Sequence, residues 1–207
     1  MGVPTKGERN MWTKEMFGTD IYHIIASFII YSMLGWLVES IYMSVCNRKI
    51  TNRGFAKGPF CPIYGFGGVV GYLILHPLEG KYIQLYIAGA LIATLFEFLV
   101  GKLMLAAFGE IWWDYNEKPF NYKGIVCLES TIAWGFYAVI IIMFLNRKIM
   151  GFIDRYSYEA GTKVCAVLLI LASFDLFFQL LQALGWNAGK YFEKIKEKYE
   201  MFRARWY

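Results

Sequence analysis

Apolar and polar stretches alternate along the chain in a coarse rhythm. Five apolar runs fall at about Asp20–Cys46, Ile63–Leu78, Tyr82–Phe108, Ile125–Leu145 and Thr162–Gly185. Crossing a hydrocarbon core of about 30 Å takes roughly 18 apolar residues or more in a helix, and several of the runs reach that length. The second run is short and glycine-rich and ends at His76-Pro77. It only just spans, so a re-entrant hairpin is the alternative there. The pattern predicts an all-α fold: a polytopic membrane helix bundle of about five transmembrane helices. Asp20 is placed to cap the first.

The polar flanks divide the chain into an interfacial N-terminal arm at 1–19, a transmembrane domain at 20–185 and a tail at 186–207. In the tail, Tyr191, Phe192, Ile195, Tyr199, Phe202 and Trp206 recur at helical steps between lysines and arginines. Such a basic amphipathic helix suits an anionic leaflet. Between Asn146 and Lys163 a mixed-charge loop is expected.

Composition agrees with the pattern. Hydrophobic residues make up 57% and charged residues 18%, against about 25% charged in a soluble domain. The net charge of +5 sits in loops and tail, where it meets lipid headgroups rather than nucleic acid. Cys46, Cys61, Cys127 and Cys165 lie in or beside apolar segments without a CxxC pair, so reduced structural thiols are expected. The first residues hold no apolar core with a cleavage site, so no signal peptide is expected. Lys6 stands where a myristoylation motif wants Ser or Thr. Five spans put the first and third loops and the tail on one side. That side carries the larger share of Lys and Arg, which makes it cytoplasmic in a cell (plasma) membrane.

One connection stands apart. Asn52–Gly68 reads NRGFAKGPFCPIYGFGG. Gly54, Gly58, Pro59 and Pro62 break any helix there, while Phe55, Phe60 and Tyr64 supply surface to bury. A broken, aromatic, Gly/Pro-rich loop–helix junction beside a span reads as a working face rather than a tether. A shorter echo follows: Lys57-Gly58-Pro59-Phe60-Cys61 and Lys123-Gly124-Ile125-Val126-Cys127 both read K-G-x-x-C. Each lies after a span bearing a glutamate, as expected for two parallel hairpins of a transporter-like repeat. Two helix N-termini would then offer N–H groups and positive dipole ends to one region.

Four carboxylates fall inside the spans: Glu39, Glu97, Glu129 and Asp175. Helical rise puts them about 12, 17, 7 and 15 Å from the motif-loop face. An ionised carboxylate at mid-membrane costs on the order of 3 kcal/mol, so these are expected to face inward, toward each other, a cation or water. Lys102, with Arg53 and Lys57 reaching in from the loop, supplies the structural alternative of buried ion pairs. Cys61 and Cys127 without a nearby histidine make an incomplete metal site, and no metal or cofactor is expected. No histidine shares the motif face, so no nucleophile–base pair is evident. Trp112-Trp113-Asp114-Tyr115 reads as an interfacial aromatic belt, with a folded lid as the alternative. Gly67 and Gly71 form a GxxxG, and Gly65 and Gly68 add small faces, which together favour close packing within the bundle or across a dimer.

At these residues the sequence resembles the ABC-transporter permease (type IV) family of small multi-pass bacterial membrane proteins. The resemblance rests on G-W-L-x-E at Gly35–Glu39, N-R-G-F-x-x-G-P-F-C-P-I-Y-G at Asn52–Gly65 and W-W-D-Y at Trp112–Tyr115. It continues with N-x-x-G-x-x-C-L at Asn121–Leu128 and W-G at Trp134–Gly135. The chain departs from it at Ile125, where an Arg is expected, and at Glu129, where a neutral residue is more usual. The family implies membrane transport. No G-x-x-x-x-G-K-[ST] is present, so ATP hydrolysis would fall to a separate ATPase subunit. Five spans are few for a complete path, so a homo-oligomer is expected.

These readings converge on a permease subunit moving a small solute or ion along a pathway lined by intramembrane carboxylates. The expected site comprises Glu39, Glu97, Glu129, Asp175, Arg53, Lys57, Lys102 and Asp114. Its motif loops contribute Asn52, Gly54, Gly58, Pro59, Cys61, Pro62, Tyr64, Trp113, Asn121, Gly124 and Cys127. The alternatives are a non-transporting scaffold, assembly or regulatory protein, and an intramembrane lipid-modifying enzyme whose acids move protons.

Overall fold

A computed structural model describes residues 11–16, 18–52, 57–109, 111 and 113–183. The expected arm up to residue 10, Arg53, Gly54, Phe55, Trp112 and the tail lie outside the described residues. After a short hairpin of β1 (Glu15–Met16) and β2 (Thr19–Asp20), the described chain is helical. It forms α1 (Ile21–Asn47), α2 (Pro62–Leu75), α3 (Tyr82–Phe108), α4 (Leu128–Ile140), α5 (Asn146–Ile153) and α6 (Tyr158–Ala183). Asp20 caps α1 by accepting from the His23 N–H at 2.9 Å.

Four of these helical segments are long and apolar enough to cross a membrane: α1, α3, the continuous run Leu128–Ile153, and α6. The exception is α2, extended by a single tight turn at His76–Leu78. Together they reach only about 27 Å by helical rise. The shortfall shapes the whole motif end. The closest-packed pairs are α1 with α2 and α3 with α4, and α6 lies along α1.

Both hairpins share one construction. Pro62 opens α2 beside the middle of α1, where the Cys61 N–H donates to the Ser32 carbonyl at 3.1 Å. Leu128 opens α4 near Glu97, well before α3 ends at Phe108. About 22 Å of α1 runs on beyond Ser32 and about 17 Å of α3 beyond Glu97. The connecting loop folds back along that overhang instead of leaving the bundle. Ser44, for example, accepts from the Thr51 N–H at 2.9 Å.

The fourth span differs from expectation at both ends. It runs on through Asn146, Arg147 and Lys148, which in the sequence look like a helix end. Asn146 is buried, as are Ile149 and Ile153, so an inward stripe continues past the charges. Arg147 faces out and pairs with Glu79 at 2.6 Å. The join is a wide π turn at Ile141–Leu145. α6 begins at Tyr158, leaving only four residues where a long loop was expected.

Of the four glycines expected to pack in α2, two make the close approach. Gly67 only touches Phe96 and Gly71 faces open space, whereas any Cβ on Gly65 or Gly68 would collide with α1 at Ser32, Phe28 and Tyr31. Within the chain, the packing face of α2 against α1 is therefore Gly65/Gly68 rather than the GxxxG of Gly67 and Gly71.

Candidate functional site

Glu97 is the deepest carboxylate. It sits midway along α3 and is 7% exposed. Its Oε1 accepts from the Tyr115 hydroxyl at 3.0 Å. Its Oε2 accepts from Trp134 Nε1 at 3.0 Å and from Ser130 Oγ at 3.3 Å. All three donors are neutral. A buried acid normally has a cation, a metal or a raised affinity for its proton to offset desolvation. Lys102, expected to neutralise Glu129 or Glu39 across the bundle, is exposed on α3.

The three donors arrive by different routes. Ser130 and Trp134 lie one turn apart on α4. The start of α4 is fixed by a reciprocal cap: Cys127 Sγ accepts from the Ser130 N–H while Ser130 Oγ accepts from the Cys127 N–H. That cap occupies N–H groups at the start of α4 that an anion would otherwise need. Tyr115 comes from the returning loop. Its N–H donates to the Gly124 carbonyl at 3.0 Å, and Trp113 Nε1 donates to the Ile125 carbonyl at 2.8 Å. Ile125 is 1% exposed and packs against Gly101. Asp114 accepts from the N–H and side-chain amide of Asn116, and Asn121 ties the loop to itself through the Asn116 and Lys118 carbonyls. Gly124 turns the chain at φ 68°, where a side chain would also strike Asn116. The expected belt is thus a folded lid: Trp113 and Tyr115 point inward.

Burial, and the charge and hydrogen bond of Glu97, push the Tyr115 hydroxyl well above the ordinary tyrosine range. It stays protonated at neutral pH and can go on donating.

The first hairpin repeats the arrangement in weaker form. Tyr64, three residues after Cys61, lies near Glu39; Ser130, three after Cys127, bonds Glu97. Tyr64 and Tyr115 lie within electrostatic reach of each other. Tyr42 of α1 is likewise in reach of Lys118 and Glu129. The first loop is pinned from α6: Asp175 Oδ2 accepts from the Gly58 N–H at 2.7 Å. Asn52 links Trp36 Nε1 (2.6 Å) to the Lys57 carbonyl (2.8 Å). Pro59 and the Lys57 side chain are exposed.

Glu129 stands apart from the other three acids. It lies in the exposed first turn of α4 and pairs with Lys118 at 2.8 Å. That contact raises the Lys118 ammonium above its usual range. The four acids expected inward from helix depth therefore part: Glu97 is buried, Glu39 is half-buried, Asp175 holds the first loop and Glu129 faces out to Lys118. Among the described residues, no group of three or more His, Cys, Asp or Glu is placed to hold a metal ion.

The fold and this intramembrane network define a multi-pass α-helical membrane protein. Residues 26–180 match the family model described as "Putative ABC-transporter type IV", and the chain belongs to that family. No curated protein and no solved structure matches it.

Proposed function

We propose that this protein is a permease subunit in which Glu97 binds the transported ion or coupling proton, with Glu39 and Tyr64 as a second station. The observation that carries this reading is the make-up of the Glu97 network. Trp134 Nε1 can only donate, so Oε2 must accept whether Glu97 is charged or neutral. The Tyr115 hydroxyl both donates and accepts. It can turn to receive a hydrogen bond from a protonated Oε1. Both carboxyl oxygens of Glu97 therefore keep a hydrogen-bond partner in either protonation state. The returning loop that carries Tyr115 then acts as the gate, and its packing on Gly101 sets the closed state. The family name supports a separate ATPase subunit, and the basic tail supports contact with anionic lipid.

A structural reading draws on the same network: three donors on one acid also make a staple for the loop. Reconstitution of the full chain into liposomes separates the two. Dye-reported H+, Na+ and K+ movement should exceed that of protein-free liposomes and should fall in Glu97→Gln and Glu39→Gln. Wild-type protein no leakier than empty liposomes to all three ions would overturn the transport reading.

A further inference from the structure

The Glu97 network holds one hydroxyl with two acceptors to choose from. Ser130 Oγ stands 3.3 Å from Glu97 Oε2 and 3.0 Å from the Cys127 carbonyl oxygen. It has a single hydrogen and two lone pairs. The Cys127 N–H donates to one lone pair at 3.3 Å. With the Ser130 hydrogen on the carbonyl, the other lone pair is left to face Glu97.

A proton on Oε2 completes that arrangement. Oε2–H donates to Ser130 Oγ, and Ser130 donates to the Cys127 carbonyl. Trp134 Nε1 goes on donating to Oε2 at 3.0 Å, and the Tyr115 hydroxyl to Oε1 at 3.0 Å. In the ionised state the Ser130 hydrogen turns back to Oε2 and the other bonds stand. None of these donors is stranded in either state, which a buried site requires. On Oε1 the same proton would turn Tyr115 round, and the tyrosine's own hydrogen would need a new acceptor.

A metal cation meets the opposite arrangement. Hard cations are held by several oxygens that turn lone pairs toward them. Here both carboxylate oxygens are covered by hydrogens, and the one on Trp134 cannot turn away, because an indole nitrogen only donates.

We propose that the ion Glu97 takes is a proton, seated on Oε2 and received by Ser130, rather than sodium or potassium. This rests on the reading of Glu97 as the ion site and narrows its candidates to one.

Infrared difference spectra of the full chain in lipid read the acid directly. A carboxylic C=O band absent from Glu97→Gln should come and go with pH, at the same pH in sodium, potassium and choline buffers. A bound cation would compete with the proton. A titration that moves to lower pH when sodium or potassium replaces choline therefore overturns the proposal. So does a band that never appears, or never disappears, over the pH range in which the protein stays folded. The seat is read from the band's frequency, since a hydrogen bond to C=O lowers it. Tyr115→Phe removes the donor to the carbonyl oxygen and should raise the frequency more than Trp134→Phe, which removes a donor to the hydroxyl oxygen. An equal or larger rise in Trp134→Phe overturns the placement on Oε2. Flux is judged apart from the band. A titrating band in a protein no leakier than empty liposomes ends the transport reading and keeps the proton site. A sodium-sensitive band in a protein that moves sodium does the reverse.

Discussion

The Tyr115 hydroxyl reaches 3.0 Å from Glu97 Oε1, joining a loop outside the spans to the most buried acid inside them. That single bond makes the returning loop part of the site. Removing it in Tyr115→Phe should leave the ring packed but free the loop. A loss of about 1 kcal/mol is expected, together with faster proteolysis between residues 109 and 127. Unchanged cleavage there would mean that Trp113 and Ile125 hold the loop alone.

The same hydroxyl gives an alkaline signature. Its pKa is raised in the folded state, so folding keeps its proton where the unfolded chain would begin to lose it near pH 10. The stability it contributes is intact below pH 10 and drains away as pH climbs above that. Thermal melts between pH 7 and 11 should show a steeper alkaline decline in wild type than in Tyr115→Phe. Parallel curves would contradict this.

Gly65 and Gly71 make opposite predictions on one helix. Gly65→Leu forces a side chain into Ser32 and Phe28, and overpacking of this kind costs about 1–3 kcal/mol or prevents folding. Gly71 has open space, so Gly71→Leu should fold with a Tm close to wild type. Equal damage from both would assign Gly71 to a contact outside a single chain.

Lys118 and Glu129 form an exposed pair, and such pairs contribute little. Glu129→Gln should change neither Tm nor ion movement. A loss of flux in this variant alone would move the functional acid from α3 to the mouth of α4.

The coarse fold was legible because span length and apolarity are properties of the sequence itself. The helix ends were not. Asn146, Arg147 and Lys148 mimic a terminus, and only the inward stripe of Asn146, Ile149 and Ile153 shows that the helix continues. Depth along a helix could be counted, but facing could not, and this put Glu129 in a cluster it does not join. The partners of Glu97 were each in view: Tyr115 in W-W-D-Y, Trp134 in W-G, and Ser130 three residues after the second K-G-x-x-C. Their convergence depends on the loop folding back along an overhanging helix, and nothing in local pattern encodes that. A tyrosine and a tryptophan, each with one polar group to satisfy when buried, were the available signal.

The most direct test is Glu97→Gln, measured for flux and stability together. The amide oxygen can face Trp134 and Ser130 while its NH2 donates to a reoriented Tyr115, so the variant should fold with a Tm near wild type. Glu97→Leu, by contrast, strands those donors and should lose about 1–3 kcal/mol or more. The account predicts that Glu97→Gln keeps its Tm and loses ion or proton movement in liposomes. Full flux in a stable Glu97→Gln protein would contradict it.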